Sequence, residues 1–168
     1  MYLAKLSPDV SESRPPLRLL LVDDSWAFLG SAEHYLSMEP DLQIVGCVSS
    51  GQEAIEQVEL LKPDLVLMDV AMPTMNGLAA ARRIKARAGG PRLILMSVHD
   101  YPAYRAEAAA AGADGFLGKA DFGTLLVPLI RRLCGRSEDD ASPSAAVAAP
   151  RSARILGQPL HREPRRVG

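Results

Sequence analysis

Between residues 17 and 134, five short and nearly continuous apolar runs alternate with stretches of helical periodicity. The runs are LRLLLV (17–22), QIVGCV (43–48), LVLM (65–68), RLILMS (92–97) and GFL (115–117). A short run with no polar alternation offers no face to water, so it fits a strand covered on both sides, as strands in parallel sheets are. Between the runs, Ala54, Ile55, Val58 and Leu61 share one helical face, and Leu78, Ala81 and Ile84 share another. Phe122, Leu125, Leu126, Leu129, Ile130 and Leu133 form the clearest helical stripe in the chain. Pro128 lies inside that stripe; it removes a backbone hydrogen bond and is expected to kink the helix without ending it. Five strand-then-helix units in succession predict an α/β domain built on a parallel sheet.

Composition narrows the class. The chain has 168 residues, 48% hydrophobic and 23% charged, which suits one domain with a sizeable core. A net charge of −1 and a pI near 6.3 argue against a mainly electrostatic affinity for nucleic acid or anionic membrane. No apolar run approaches the ~20 residues of a membrane span. Residues 1–16, MYLAKLSPDVSESRPP, have no apolar centre and are expected to be a polar leader, not a secretory signal. Cys47 and Cys134 are isolated, with no CxxC or Cys/His pattern, and point to a cytoplasmic chain without disulfides. After Cys134 the composition shifts to Ala, Ser, Pro and Arg. Residues 135–168 are expected to be a disordered tail, and its arginines from Arg151 onward are read as a solvated charge run in preference to an arm for an acidic partner.

The strand ends carry the chemistry. LRLLLV runs into two adjacent carboxylates, Asp23 and Asp24. Such a pair repels itself unless it faces water or binds something positive. LVLM closes on Asp69, RLILMS ends on Ser97, and GFL is followed closely by Lys119. In a parallel sheet all of these ends lie on one edge, where open α/β sheets bind ligands. If the first and third strands are neighbours, Asp23, Asp24 and Asp69 converge as a hard-oxygen site suited to Mg²⁺. A hydroxyl and an ammonium beside them could hold a phosphoryl group. Taken singly, each residue has an ordinary reading: Asp23 and Asp69 as turn residues, Ser97 as a cap, Lys119 as a solvated charge, Phe116 as core. Independent turn residues would not all fall at matching strand ends, and that conjunction favours a shared site.

In order and spacing, VDDS, DVAMPTMNG, MSVHD and GADGFLGKA over residues 17–134 resemble the signature segments of response-regulator receiver domains of two-component signalling. The resemblance implies a flavodoxin-like, doubly wound five-stranded sheet of order 2-1-3-4-5 with helices on both faces. It implies that Asp69 is the phosphoacceptor, taking a phosphoryl group from a sensor histidine kinase or phosphotransfer protein. It further implies Asp24 as the direct Mg²⁺ ligand, Asp23 as a ligand through water, and Ala71 as a ligand through its backbone carbonyl. Lys119 resembles the lysine that pairs with the phosphoryl oxygens, Ser97 the hydroxyl that moves onto them, and Phe116 the aromatic switch that follows. The implied protein is a phosphorylated switch, not an enzyme, acting on a downstream protein partner, with homodimerisation left open.

The sequence departs from many receivers in two places. Ala120 follows Lys119 where a proline with a cis bond is common, and Val98 beside Ser97 is bulkier than usual and is expected to narrow access. Similar features occur in receivers of the helix-turn-helix subfamily, yet residues 135–168 are too few for a packed DNA-binding domain, so a stand-alone receiver is expected. Two alternatives remain open: an adaptor that keeps the fold without phosphorylation, and a Mg²⁺-dependent aspartyl phosphohydrolase. The latter usually places a second acid two residues after its nucleophile, and here that position is Ala71.

Overall fold

The computed structural model describes residues 14–136. Its strands are β1 (Leu17–Val22), β2 (Leu42–Val48), β3 (Leu65–Asp69), β4 (Arg92–Ser97) and β5 (Gly115–Gly118). They form one parallel sheet in the order β2-β1-β3-β4-β5. This is the flavodoxin-like order expected. The helices between them are α1 (Trp26–Leu36), α2 (Gly51–Leu61), α3 (Gly77–Lys85), α4 (Pro102–Ala110) and α5 (Phe122–Leu133).

Strand alternation builds two cores. Leu19 and Leu21 of β1 pack with Leu29, Ala32 and Leu36 of α1 and with Leu126, Val127 and Ile130 of α5. Leu20 and Val22 point the other way, toward Ala54 and Val58 of α2 and Leu78, Ala81 and Ile84 of α3. From Leu19 of β1 onward, and along β3 and most of β4, residues are buried on both faces, as their unbroken apolar runs require. At the sheet edges, β2 is half-buried along most of its length, and a register shift against β1 falls between Leu19 and Leu20. Cys47 on β2 and Cys134 after α5 are free thiols among the described residues, and burial pushes both above the usual thiol range.

Helices α1, α2 and α3 start close behind their strands, each with a side-chain cap supplied by the preceding loop. Ser25 accepts a hydrogen bond from the Phe28 N–H at 3.3 Å, Ser50 from Glu53 N–H at 3.2 Å, and Asn76 from Ala79 N–H at 2.8 Å. Gly112, with φ of 84°, turns the chain out of α4 toward β5. Helix α5 runs through Pro128.

The two ends of the described chain meet. Arg136, assigned to the tail by composition, is buried, and its guanidinium donates to the carbonyls of Pro15 and Asp41. Arg14 donates to the Gly135 carbonyl at 3.1 Å. Among the described residues no helix is long and apolar enough to cross a membrane. The rest of the expected leader, residues 1–13, and of the tail, residues 137–168, lie outside the described residues.

Candidate functional site

Register brings the site together. Val22 of β1 pairs with Met68 of β3, so the residues that follow, Asp23 and Asp69, stand on neighbouring strands at the same level. Asp69 pairs with Met96 of β4, and Ser97 pairs with Gly118 of β5, so Ser97 and Lys119 emerge one step further on. All four are at the carboxyl edge of the sheet. Asp23, Asp69 and Ser97 are buried, with exposures of 0%, 2% and 3%.

Lys119 joins the two acids. Its Nζ lies 2.6 Å from Asp23 Oδ2 and 2.8 Å from Asp69 Oδ1. The remaining carboxylate oxygens are held by backbone: Ser25 N–H donates to Asp23 Oδ1 at 2.9 Å, and Ala71 N–H donates to Asp69 Oδ2 at 2.7 Å. Burial pushes the Asp69 carboxyl above the usual carboxylate range; Lys119 pulls it back only in part, and the Asp23 charge adds to the rise. Burial by itself would lower the Lys119 ammonium, but the close contacts with the Asp23 and Asp69 carboxylates outweigh it and raise the pKa.

Asp24 is not gathered in. It is exposed in the turn that leads to α1, and among the described residues no three His, Cys, Asp or Glu side chains form a group able to hold a metal ion. The structure thus brings two of the three acids together with an ammonium between them, where the sequence led us to expect three converging carboxylates. The cause is local: one residue past the strand, the backbone turns to let Ser25 cap α1. The pair still suits a divalent cation chemically. Two buried carboxylates face one ammonium, and Asp23 Oδ2 and Asp69 Oδ1 accept no well-directed hydrogen bond, their Lys119 contacts being ionic. The donor set is hard oxygen with surplus negative charge.

The loop after β3 depends on one glycine. A Cβ on Gly77 would fall 2.1 Å from the Asp69 carbonyl oxygen, and the Gly77 N–H donates to Val70 O at 2.9 Å. Any side chain there would push the Asp69 loop away from α3. Ser97 Oγ accepts from the His99 N–H at 3.1 Å. Val98, expected to crowd the site, is 72% exposed and faces solvent. Ala120 sits in a 3₁₀ turn, Lys119–Asp121, that leads into α5.

Phe116 is half-buried on β5, and the Arg105 guanidinium lies 5.2 Å from its ring centroid. Arg105 is tied in turn to Asp100, through Nε at 2.6 Å. Sequence reasoning did not find Phe28, whose ring centroid is 4.5 Å from Lys119 Nζ. A signal was present: Phe28 lies three residues after the capping Ser25, on the face of α1 that also carries Tyr35.

The family model for the response regulator receiver domain matches residues 19–127. The chain belongs to the receiver family. Among curated relatives it is 35% identical over 157 residues to a protein-glutamate methylesterase/protein-glutamine glutaminase of Pseudoalteromonas atlantica, a match covering 88% of this chain and 41% of the relative. It is 36% identical over 107 residues to the nitrate/nitrite response regulator NarL of Escherichia coli, covering 64% of this chain and 50% of that protein. The chain therefore spans about half or less of the length of these relatives. Among solved structures, the signal receiver domain of the putative response regulator NarL from Mycobacterium tuberculosis superposes with a TM-score of 0.65 at 28% identity, covering 73% of this chain and all of that one. The response regulator domain of Thermotoga maritima CheB gives 0.63 at 30% identity, covering 72% and 96%.

Proposed function

We propose that this receiver is a phosphorylated switch of a two-component relay, with Asp69 as the phosphoacceptor. The observation that supports this best is the buried Asp69 carboxylate, held by the Ala71 N–H on one oxygen and facing the Lys119 ammonium on the other. In the transfer, a carboxylate oxygen of Asp69 forms a bond to phosphorus while the P–N bond of a donor phosphohistidine breaks, and the departing imidazole nitrogen keeps the bonding pair. Asp69 needs no general base, because a carboxylate is ionised near neutral pH, and Lys119 opposes the rise that burial imposes. Burial makes the carboxylate more basic than a surface acid.

Lys119 then stays beside the same aspartate and offsets charge on the phosphoryl oxygens, in a transfer governed by alignment and charge neutralisation. Mg²⁺, which receivers typically bind at this site, would be held by Asp23, Asp24, Asp69 and the Ala71 carbonyl and would supply further neutralisation of the phosphoryl charge. Ser97 is the hydroxyl that would turn to the phosphoryl group. Its exchange of partners, away from the His99 N–H, would be felt at Phe116 on the adjoining strand.

The donor is a sensor histidine kinase or phosphotransfer protein, the output is contact with a downstream protein, and the site of action is the cytoplasm. The domain itself acts as a switch and not as an enzyme. The aspartyl phosphohydrolase alternative lacks its general acid, because the Ala71 methyl cannot donate a proton. Incubation with acetyl phosphate and Mg²⁺ tests the proposal: intact-mass spectrometry should show one added phosphoryl group, labile to hydroxylamine. A chain that gains no mass, with or without Mg²⁺, would point to the adaptor reading.

A further inference from the structure

We propose that Phe28 is a positioning residue for Lys119, an inference that rests on the phosphoacceptor reading of the same site. Lys119 is a long, flexible side chain with 16% of its surface exposed, and the two carboxylate oxygens it meets, Asp23 Oδ2 and Asp69 Oδ1, receive no well-directed hydrogen bond. Two ion pairs fix its distance from the acids but leave the ammonium free to slide between them. The Phe28 ring, with its centroid 4.5 Å from Nζ, supplies a third side to the enclosure. An aromatic face carries partial negative charge and attracts an ammonium without competing for its proton.

The ring is itself held in place. Phe28 meets Phe122 of α5 edge-to-face, with centroids 5.3 Å apart and planes at 79°. Tyr35, two turns further along α1, packs on the same Phe122 at 5.6 Å, and its hydroxyl donates to the Gly123 carbonyl at 2.8 Å. The backbone that places Phe28 is the one that places Asp23. Asp23 Oδ1 accepts from Ser25 N–H, and Ser25 Oγ accepts from Phe28 N–H. One six-residue segment, Asp23–Phe28, thus sets both a carboxylate and a ring around the same ammonium, while α5 braces the ring from behind. A purely structural phenylalanine would need only the contacts to Phe122 and the core. The cation over its face adds a role in the site.

Phe28→Leu keeps an apolar side chain but removes the charged face, and Phe28→Tyr restores it. Labelling of Asp69 by acetyl phosphate and Mg²⁺ should slow about three- to tenfold in Phe28→Leu and recover in Phe28→Tyr. The Lys119 Hε proton signals, shifted upfield by the ring, should move downfield in Phe28→Leu and hold their place in Phe28→Tyr. Should Phe28→Leu not fold, Phe28→Met takes its place. Wild-type labelling rate with unmoved Lys119 signals in the Leu or Met variant would overturn the proposal. If the wild type takes no label at all, the phosphoacceptor reading falls, and the proton shifts of the unphosphorylated variants alone then decide whether Phe28 places Lys119.

Discussion

Asp69 is where residue-level physics can be checked most sharply. Burial, the largest influence, raises its carboxyl pKa in the fold, and Lys119 opposes the rise without cancelling it. A carboxyl with a folded pKa above its unfolded value contributes stability in full below the unfolded value, about 3.9, and loses it as pH rises through the folded value. Asn in its place cannot ionise. In metal-free buffer at neutral pH, Asp69→Asn should therefore melt a few degrees above the wild type, with the gap narrowing as the pH is lowered toward 4. An equal or lower melting temperature at neutral pH would contradict the account of a carboxylate strained by burial. The cation has a parallel test. A ligand that binds only the native state stabilises it by mass action, so millimolar Mg²⁺ should raise the wild-type melting temperature. Asp24→Ala should abolish that rise, even though Asp24 is exposed while Asp23 and Asp69 are buried. A full Mg²⁺ effect in Asp24→Ala would remove it from the ligand set.

At the scale of elements, the join between β4 and β5 rests on Asp114. Its Oδ2 receives Lys85 Nζ and the Leu93 N–H, each at 2.8 Å, its Oδ1 receives Arg92 at 2.8 Å, and its own N–H donates to Leu93 O. Burial would raise this carboxyl, but these partners together hold it below the usual range. Its stabilisation is therefore present above the unfolded value, about 3.9, and lost as pH falls through the lower folded one. Asp114→Ala should cost about 1–3 kcal/mol in urea unfolding at pH 7, and the difference from wild type should shrink in acid. A neutral substitution would mean that these bonds merely replace hydration. None of this was legible in the sequence, where Asp114 reads as the middle of a turn between glycines. The five strands were legible, because burial on both faces leaves an unbroken apolar run. So were the acids, the hydroxyl and the lysine, because a parallel sheet sends every strand end to one edge. Phe28 escaped because its role depends on Lys119, more than ninety residues away, and no spacing rule links them. The exposed position of Asp24 escaped too, since adjacency in sequence says nothing of how the next residue turns to cap α1.

For the whole molecule, composition drew the domain boundary at Cys134, while the buried Arg136 fastens the end of α5 to Pro15 and Asp41. A chain ended after Cys134 should melt measurably below one ended after Arg136, and equal melting temperatures would show that this clasp adds no stability. The clasp lies at the amino edge of the sheet, opposite Asp69, so the fold separates what holds the domain together from what reacts. The reactive edge is where the central claim stands, namely that Asp69 is the phosphoacceptor. The most direct measurement is peptide mapping of the label after acetyl phosphate and Mg²⁺ treatment, with the acyl phosphate trapped by borohydride, on wild type and Asp69→Asn side by side. A single modified residue at Asp69 in the wild type, and none in the Asn variant, is the predicted result. A label on Ser97 or another residue, or an Asn variant labelled as fully as the wild type, would contradict it.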